Sequence, residues 1–177
     1  MSLFDRFRKS GPEQVCVEIA GIISGGDPEV AAEAAACAAA PEEFFRAHSE
    51  QYDWYYMQKH VEANMLRWDG LIFLLEAHNH VCIRDWKDEK EDFLFFLQNL
   101  SGAGRLGLEI DGEWLDEAGC ISQWCQVIDR KWDRACVAAM DQHSDSYVLF
   151  PCRVEDLEKL RVLADQLGER IALAREM

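Results

Sequence analysis

Apolar spacing divides the chain into a helical first half and a mixed second half. Val15, Ile19, Ile22 and Ile23 recur at helical intervals. Ser10-Gly11-Pro12-Glu13 before them reads as a helix start, with a Ser cap and a Glu three residues on. Ser24-Gly25-Gly26 closes that stripe. Asp27-Pro28-Glu29 opens a second helix, with an N-cap, a proline in the first turn and an acid on the dipole. Residues 31–40 are almost all alanine, the strongest helix former, and such a face lets a neighbouring helix approach closely. Pro41 ends this helix and starts the next. Phe44, Phe45, Tyr52, Trp54, Tyr55 and Tyr56 form an aromatic region expected to anchor the helical part. Residues 61–77 read as a long buried helix, with Trp68, Ile72 and Leu75 near one face.

From His80 the period shortens. Residues 81–86 read as a strand, and Asp88-Glu89-Lys90-Glu91 reads as a capping box before a helix carrying Phe93, Phe96, Leu97 and Leu100. Gly102–Gly112 holds four glycines in eleven residues, which predicts a loop, with a short strand at 106–110. The segment Gly102–Glu113 is the expected mobile loop. Ile121, Trp124, Cys125, Ile128 and Trp132 mark an amphipathic helix. Two strand-like runs, 135–141 and 147–152, flank the turn residues Gln142–Ser146 as a hairpin. Val154, Leu157, Leu160, Ala164 and Leu167 form a last helix stripe, and 171–174 a short edge strand. The expected fold is α+β. A basic N-terminus (1–9) leads into a helical subregion (10–78), which packs on a small antiparallel sheet flanked by helices (79–177), the whole forming one domain.

Charge narrows the function. The chain of 177 residues carries 18 basic and 33 acidic side chains, a formal −15. Residues 1–9 hold three cations and one acid, so 10–177 carry −17. Such a body repels phosphate backbones and anionic lipid and favours a basic protein partner. No nucleic acid and no membrane are therefore expected as partners. The same acidity also serves plain solubility. No apolar run reaches the ~20 residues of a membrane helix. Seven scattered cysteines suit a reduced cytoplasm better than a disulfide framework.

No cofactor motif stands out. Gly102, Gly104 and Gly107 spell G-x-G-x-x-G, but after a helix, where a dinucleotide loop needs a strand. His78, His80 and Cys82 lack the paired spacing of a zinc site, so no metal is expected. Ser144, His143 and Asp141 are too close in sequence to form a triad and read as turn chemistry.

Two site readings remain. Acids interleaved with aromatics at 85–92 and 109–117 suit a protein interface, with Asp85, Trp86, Asp88, Glu109, Asp111 and Glu113 as its contacts. On the plainer reading Asp88 caps a helix and Trp86 is core. The alternative function is a small-ligand binder or enzyme whose pocket between the subregions holds His78, His80, Asp85 and Asp141. A structural homo-oligomer using the aromatic region 44–56 is a third possibility.

Cys82-Ile83-Arg84-Asp85-Trp86-Lys87-Asp88, with Glu91-Asp92, and Ser144-Asp145-Ser146-Tyr147-Val148-Leu149-Phe150-Pro151 resemble a bacterial family of domains of unknown function. The resemblance covers the last hundred residues or so and leaves the Ala-rich helices outside. It implies a bacterial, cytosolic origin and no particular activity. In size, charge and composition the chain is also similar to some bacterial immunity proteins, an analogy that points to a non-enzymatic adaptor.

Overall fold

The computed structural model describes residues 11–48 and 63–177. Helices α1 (Pro12–Ser24), α2 (Pro28–Ala39), α3 (Pro41–Ala47) and α4 (Ala63–Ala77) come first. Strand β1 (Cys82–Asp85), helices α5 (Lys90–Gln98), α6 (Ser101–Leu106) and α7 (Ile121–Lys131), and strands β2 (Ala135–Met140) and β3 (Ser146–Arg153) follow. Helix α8 (Val154–Leu167) and strand β4 (Ile171–Leu173) complete the α+β fold. The sheet order is β1-β3-β2-β4, with every neighbouring pair antiparallel. β3, α8 and β4 form a split crossover, because β2 lies between the two strands that α8 connects.

The period-two alternation of the strands builds two cores. Cys136, Ala138, Met140, Val148, Phe150 and Cys152 face α1, α2, α4 and α8. Val137, Ala139 and Leu149 face the other way, against Phe93 and Leu97 of α5 and Trp124, Cys125 and Ile128 of α7. All six residues of β2 are buried because helices cover both faces. Helices α1, α2 and α4 thus form one outer layer of the sheet, joined there by α8.

Local chemistry explains the helix ends. The Asp27 carboxylate accepts the N–H groups of Glu29 and Val30, as an N-cap does. Helix α1 starts at Pro12 without a side-chain cap, and Ser10 lies outside the described residues. Alanine lets α2 lie close to α1 and α4, with Val30, Ala34, Cys37 and Ala38 buried there. Phe44 is buried and Phe45 partly so, whereas Tyr52, Trp54, Tyr55 and Tyr56 lie outside the described residues, as does the basic N-terminus.

Two local expectations are corrected. Where glycine content predicted a loop, residues 101–106 form α6. Tertiary contacts outweigh propensity there: Arg105 donates to the carbonyls of Ser24 at 2.6 Å and Ile23 at 3.0 Å, closing the C-terminus of α1. Gly102 fits because a Cβ there would press on Pro151 at 3.1 Å, and Gly107 ends the helix at φ 63°. No strand forms at 106–110. The carbonyls of Ile110 and Glu109 instead accept from Gln98 Nε2 (2.8 Å) and Trp132 Nε1 (3.1 Å), so the expected mobile loop is half helix and half pinned. The second correction concerns Asp88, which caps nothing. Helix α5 starts after Glu89, and the Asp88 carboxylate instead takes a two-pronged bond from Arg84.

Candidate interaction site at one end of the sheet

β1 ends at Asp85 opposite Ser146, where β3 begins, and β2 ends at Met140 opposite Val148. The end of β1, the β2–β3 hairpin and the start of β4 therefore meet at one end of the sheet. A cleft of about 300 Å³ opens there, walled by Trp86 and Tyr147 and rimmed by Asp141, Asp145 and Arg170. Its hairpin wall is built by turn chemistry. The Asp141 carboxylate accepts the His143 N–H at 2.8 Å, the Ser144 hydroxyl accepts the Ser146 N–H at 3.2 Å, and His143 takes φ 55°. The base of the hairpin is tied down by Trp68, whose indole N–H donates to the Asp141 carbonyl at 2.7 Å.

Trp86 is half exposed, at 49 %, and so does not belong to the core. The preceding Asp85 carboxylate accepts the Lys87 N–H at 2.8 Å, turning the chain at the end of β1. This turn sets the Lys87 ammonium 4.7 Å from the Trp86 ring centre, a cation–π contact. Nearby, Phe95 and Phe96 are exposed on α5, with Arg84 stacked 4.0 Å over the Phe96 ring.

The acids of the first site reading divide. Asp85, Glu109, Asp111 and Glu113 are exposed. Asp111 accepts the Glu113 N–H at 2.9 Å and opens a single 3-10 turn at 112–114. Asp88 is corrected: its side chain is only 7 % exposed and is spent on Arg84, so it is unavailable to a partner. Lys90 bonds Glu117, with Glu91 and Glu113 close by, and these acids hold its ammonium pKa above the ordinary value. That contact sets the 109–117 acids beside the start of α5.

The four residues of the alternative pocket do not meet. His78 lies 3.2 Å from Glu33, and the buried His80 has Arg105, Asp27 and His78 as its charged neighbours, at the opposite end of β1 from Asp85. Burial, then Arg105, lowers the His80 pKa, and its Nδ1 has no partner among the described residues. Asp141 belongs instead with His143 and the hairpin. Tyr147 and Arg170 carried no sequence signal for the cleft, since only strand pairing and the α8–β4 turn bring them to it. A wider groove of about 870 Å³ near the other end of the sheet carries Arg105, Arg134 and Arg153 against Asp133, Glu155 and Glu158, so its charges offset. Among the described residues no three metal-capable side chains cluster.

Residues 16–174 match the family described as Domain of unknown function (DUF6630). The chain is a member of the DUF6630 family. The match corrects the extent of the resemblance, because it takes in α2 and about two thirds of α1 as well as both motif segments. The Ala-rich helices thus belong to the DUF6630 unit, as their place on the shared sheet requires. No curated protein and no solved structure matches this DUF6630 chain.

Proposed function

We propose that this DUF6630 domain is a non-enzymatic protein-interaction module of the bacterial cytoplasm, an adaptor whose acidic, aromatic face engages a basic partner. The carrying observation is Trp86, half exposed at the sheet end, with Phe95 and Phe96 exposed on the following helix. Large aromatics held at the surface are typical anchors of protein interfaces. The acids around them, Asp85, Glu109, Asp111 and Glu113, would steer a basic surface onto those anchors. A cytoplasmic setting is supported by seven free thiols, six of them buried. Among the described residues no helix is long and apolar enough to cross a membrane.

The test is capture of partners on the immobilised domain at low and high salt, alongside the variants W86A and D85K/D111K. A stoichiometric basic partner that leaves at high salt and is lost with either variant is the expected result. A partner held equally by all three proteins would overturn the assignment of this face.

A further inference from the structure

We propose that the sheet-end cleft receives one arginine side chain of the basic partner, its guanidinium stacking on Trp86 and pairing with Asp145. The inference rests on the basic-partner reading above and gives it a recognition pocket.

Three features point to this occupant. First, the cleft walls are aromatic: Trp86 stands half exposed on one side and Tyr147 on the sheet is partly buried. The negative ring face attracts cations: Lys87 Nζ is already held 4.7 Å from the Trp86 centre, and the partner's guanidinium would displace this flexible side chain. A guanidinium is planar and weakly hydrated, so it stacks on indole better than an ammonium does.

Second, the charges on the rim are unequally committed. The Asp141 carboxylate holds the His143 N–H, and the Arg170 guanidinium donates to the Glu176 carbonyl at 2.6 Å. Asp145, at the exposed hairpin tip, carries no ion pair among the described residues. A carboxylate lining the same cleft as the aromatic rings offers a guanidinium a bidentate, charge-assisted bond.

Third, the size fits. About 300 Å³ is the lower end of ligand cavities, room for one long side chain rather than a nucleotide. The chain's −15 charge favours a cationic segment on approach.

The test is amide and indole NMR of the ¹⁵N-labelled full chain at low salt, titrated with an acetylated and amidated Gly-Arg-Gly-Arg-Gly peptide. Citrulline and lysine versions of the peptide run in parallel. The arginine peptide is expected to shift the Trp86 indole N–H and the amides of residues 144–147, while the citrulline peptide leaves them in place. D145N is expected to weaken binding about tenfold, and W86A about threefold. Both side chains are exposed, so neither change threatens folding.

No shift at about 10 mM peptide would overturn the pocket. So would equal shifts with citrulline, or equal affinity for the lysine peptide. Shifts confined to residues 89–92 and 109–117 would also overturn it, yet leave the acidic-face reading standing. A Trp86 cleft that binds arginine in a domain whose captured partner ignores W86A would separate the two in the other direction.

Discussion

The imidazole Nε2 of His143, at the tip of the β2–β3 hairpin, sits 2.9 Å from a carboxylate oxygen of Glu169, in the turn between α8 and β4. The pair ties together two segments that wall the sheet-end cleft, since Glu169 precedes Arg170 and His143 precedes Ser144. Asp141 lies 3.9 Å from Nδ1, and Asp69 of α4 adds a third nearby carboxylate.

The His143 pKa is raised, chiefly by the hydrogen bond to Glu169, with desolvation opposing and the charges of Glu169, Asp141 and Asp69 assisting. A raised histidine stabilises the fold fully below its unfolded value, near 6.5, and that contribution is lost as pH rises through the folded value. Burial also raises the Glu169 carboxyl, so its ionisation likewise erodes stability on the way up in pH. Urea unfolding of H143Q beside the parent is expected to show a difference at pH 6 that shrinks by pH 8. Because the histidine is 53 % exposed, that difference stays below about 1 kcal/mol. A gap that grows with pH would contradict the pairing.

Arg84 and Asp88 are 15 % and 7 % exposed, so truncating one strands the other's charge away from water. D88A is expected to cost about 3 kcal/mol in denaturant unfolding. W86A, two residues earlier in the chain, is expected to cost less than about 0.5 kcal/mol. The contrast separates a residue that holds the fold from one free to serve a partner.

Gly70 of α4 lies under Cys37 of α2, and a Cβ there would overlap the sulfur. G70A is expected to lower stability by about 1–3 kcal/mol through overpacking, despite alanine's better helix propensity. Adding C37A is expected to recover part of the loss. A stabilised G70A would mean that α2 and α4 have room between them.

Cys120 is the one exposed thiol of the seven. Burial pushes the thiol of Cys16 up to about 11 and those of Cys37 and Cys82 up to about 12. Cys136 and Cys152 face each other across β2 and β3 with sulfurs 3.7 Å apart, and their mutual S–H bond, then burial, raises Cys152. Thiol labelling of the native protein is expected to show one fast-reacting cysteine, lost in C120S, with the rest reacting only on unfolding. Fast reaction of a second thiol would place an opening in one of the two cores.

Several elements are legible in the sequence alone. The stripe Ile121, Trp124, Cys125, Ile128 became the buried face of α7, and the runs flanking Gln142–Ser146 became the β2–β3 hairpin. Asp27-Pro28-Glu29 started α2 as its cap chemistry requires. The misreadings share one cause. Helix α6 contradicts its glycine content because its own Arg105 bonds the carbonyls of Ile23 and Ser24, and its Gly102 packs on Pro151, all distant in sequence. Asp88 contradicts its capping pattern because a partly buried arginine on β1 claims its carboxylate. Local propensity is worth tenths of a kcal/mol to about one per residue, less than a buried pair or a packed contact decides.

Composition and periodicity by themselves determined the α+β class, the antiparallel hairpin, the acidity and the scattered free thiols, because each depends on nearest neighbours or on a plain sum. Only tertiary structure decided which candidates share a site. Pairing Asp85 with Ser146 and ending β2 at Met140 brings Trp86, Asp141 and Asp145 to one rim. The same strand direction carries His78 and His80 to the far end of β1. Strand order joins residues far apart in the chain, and no local pattern encodes it.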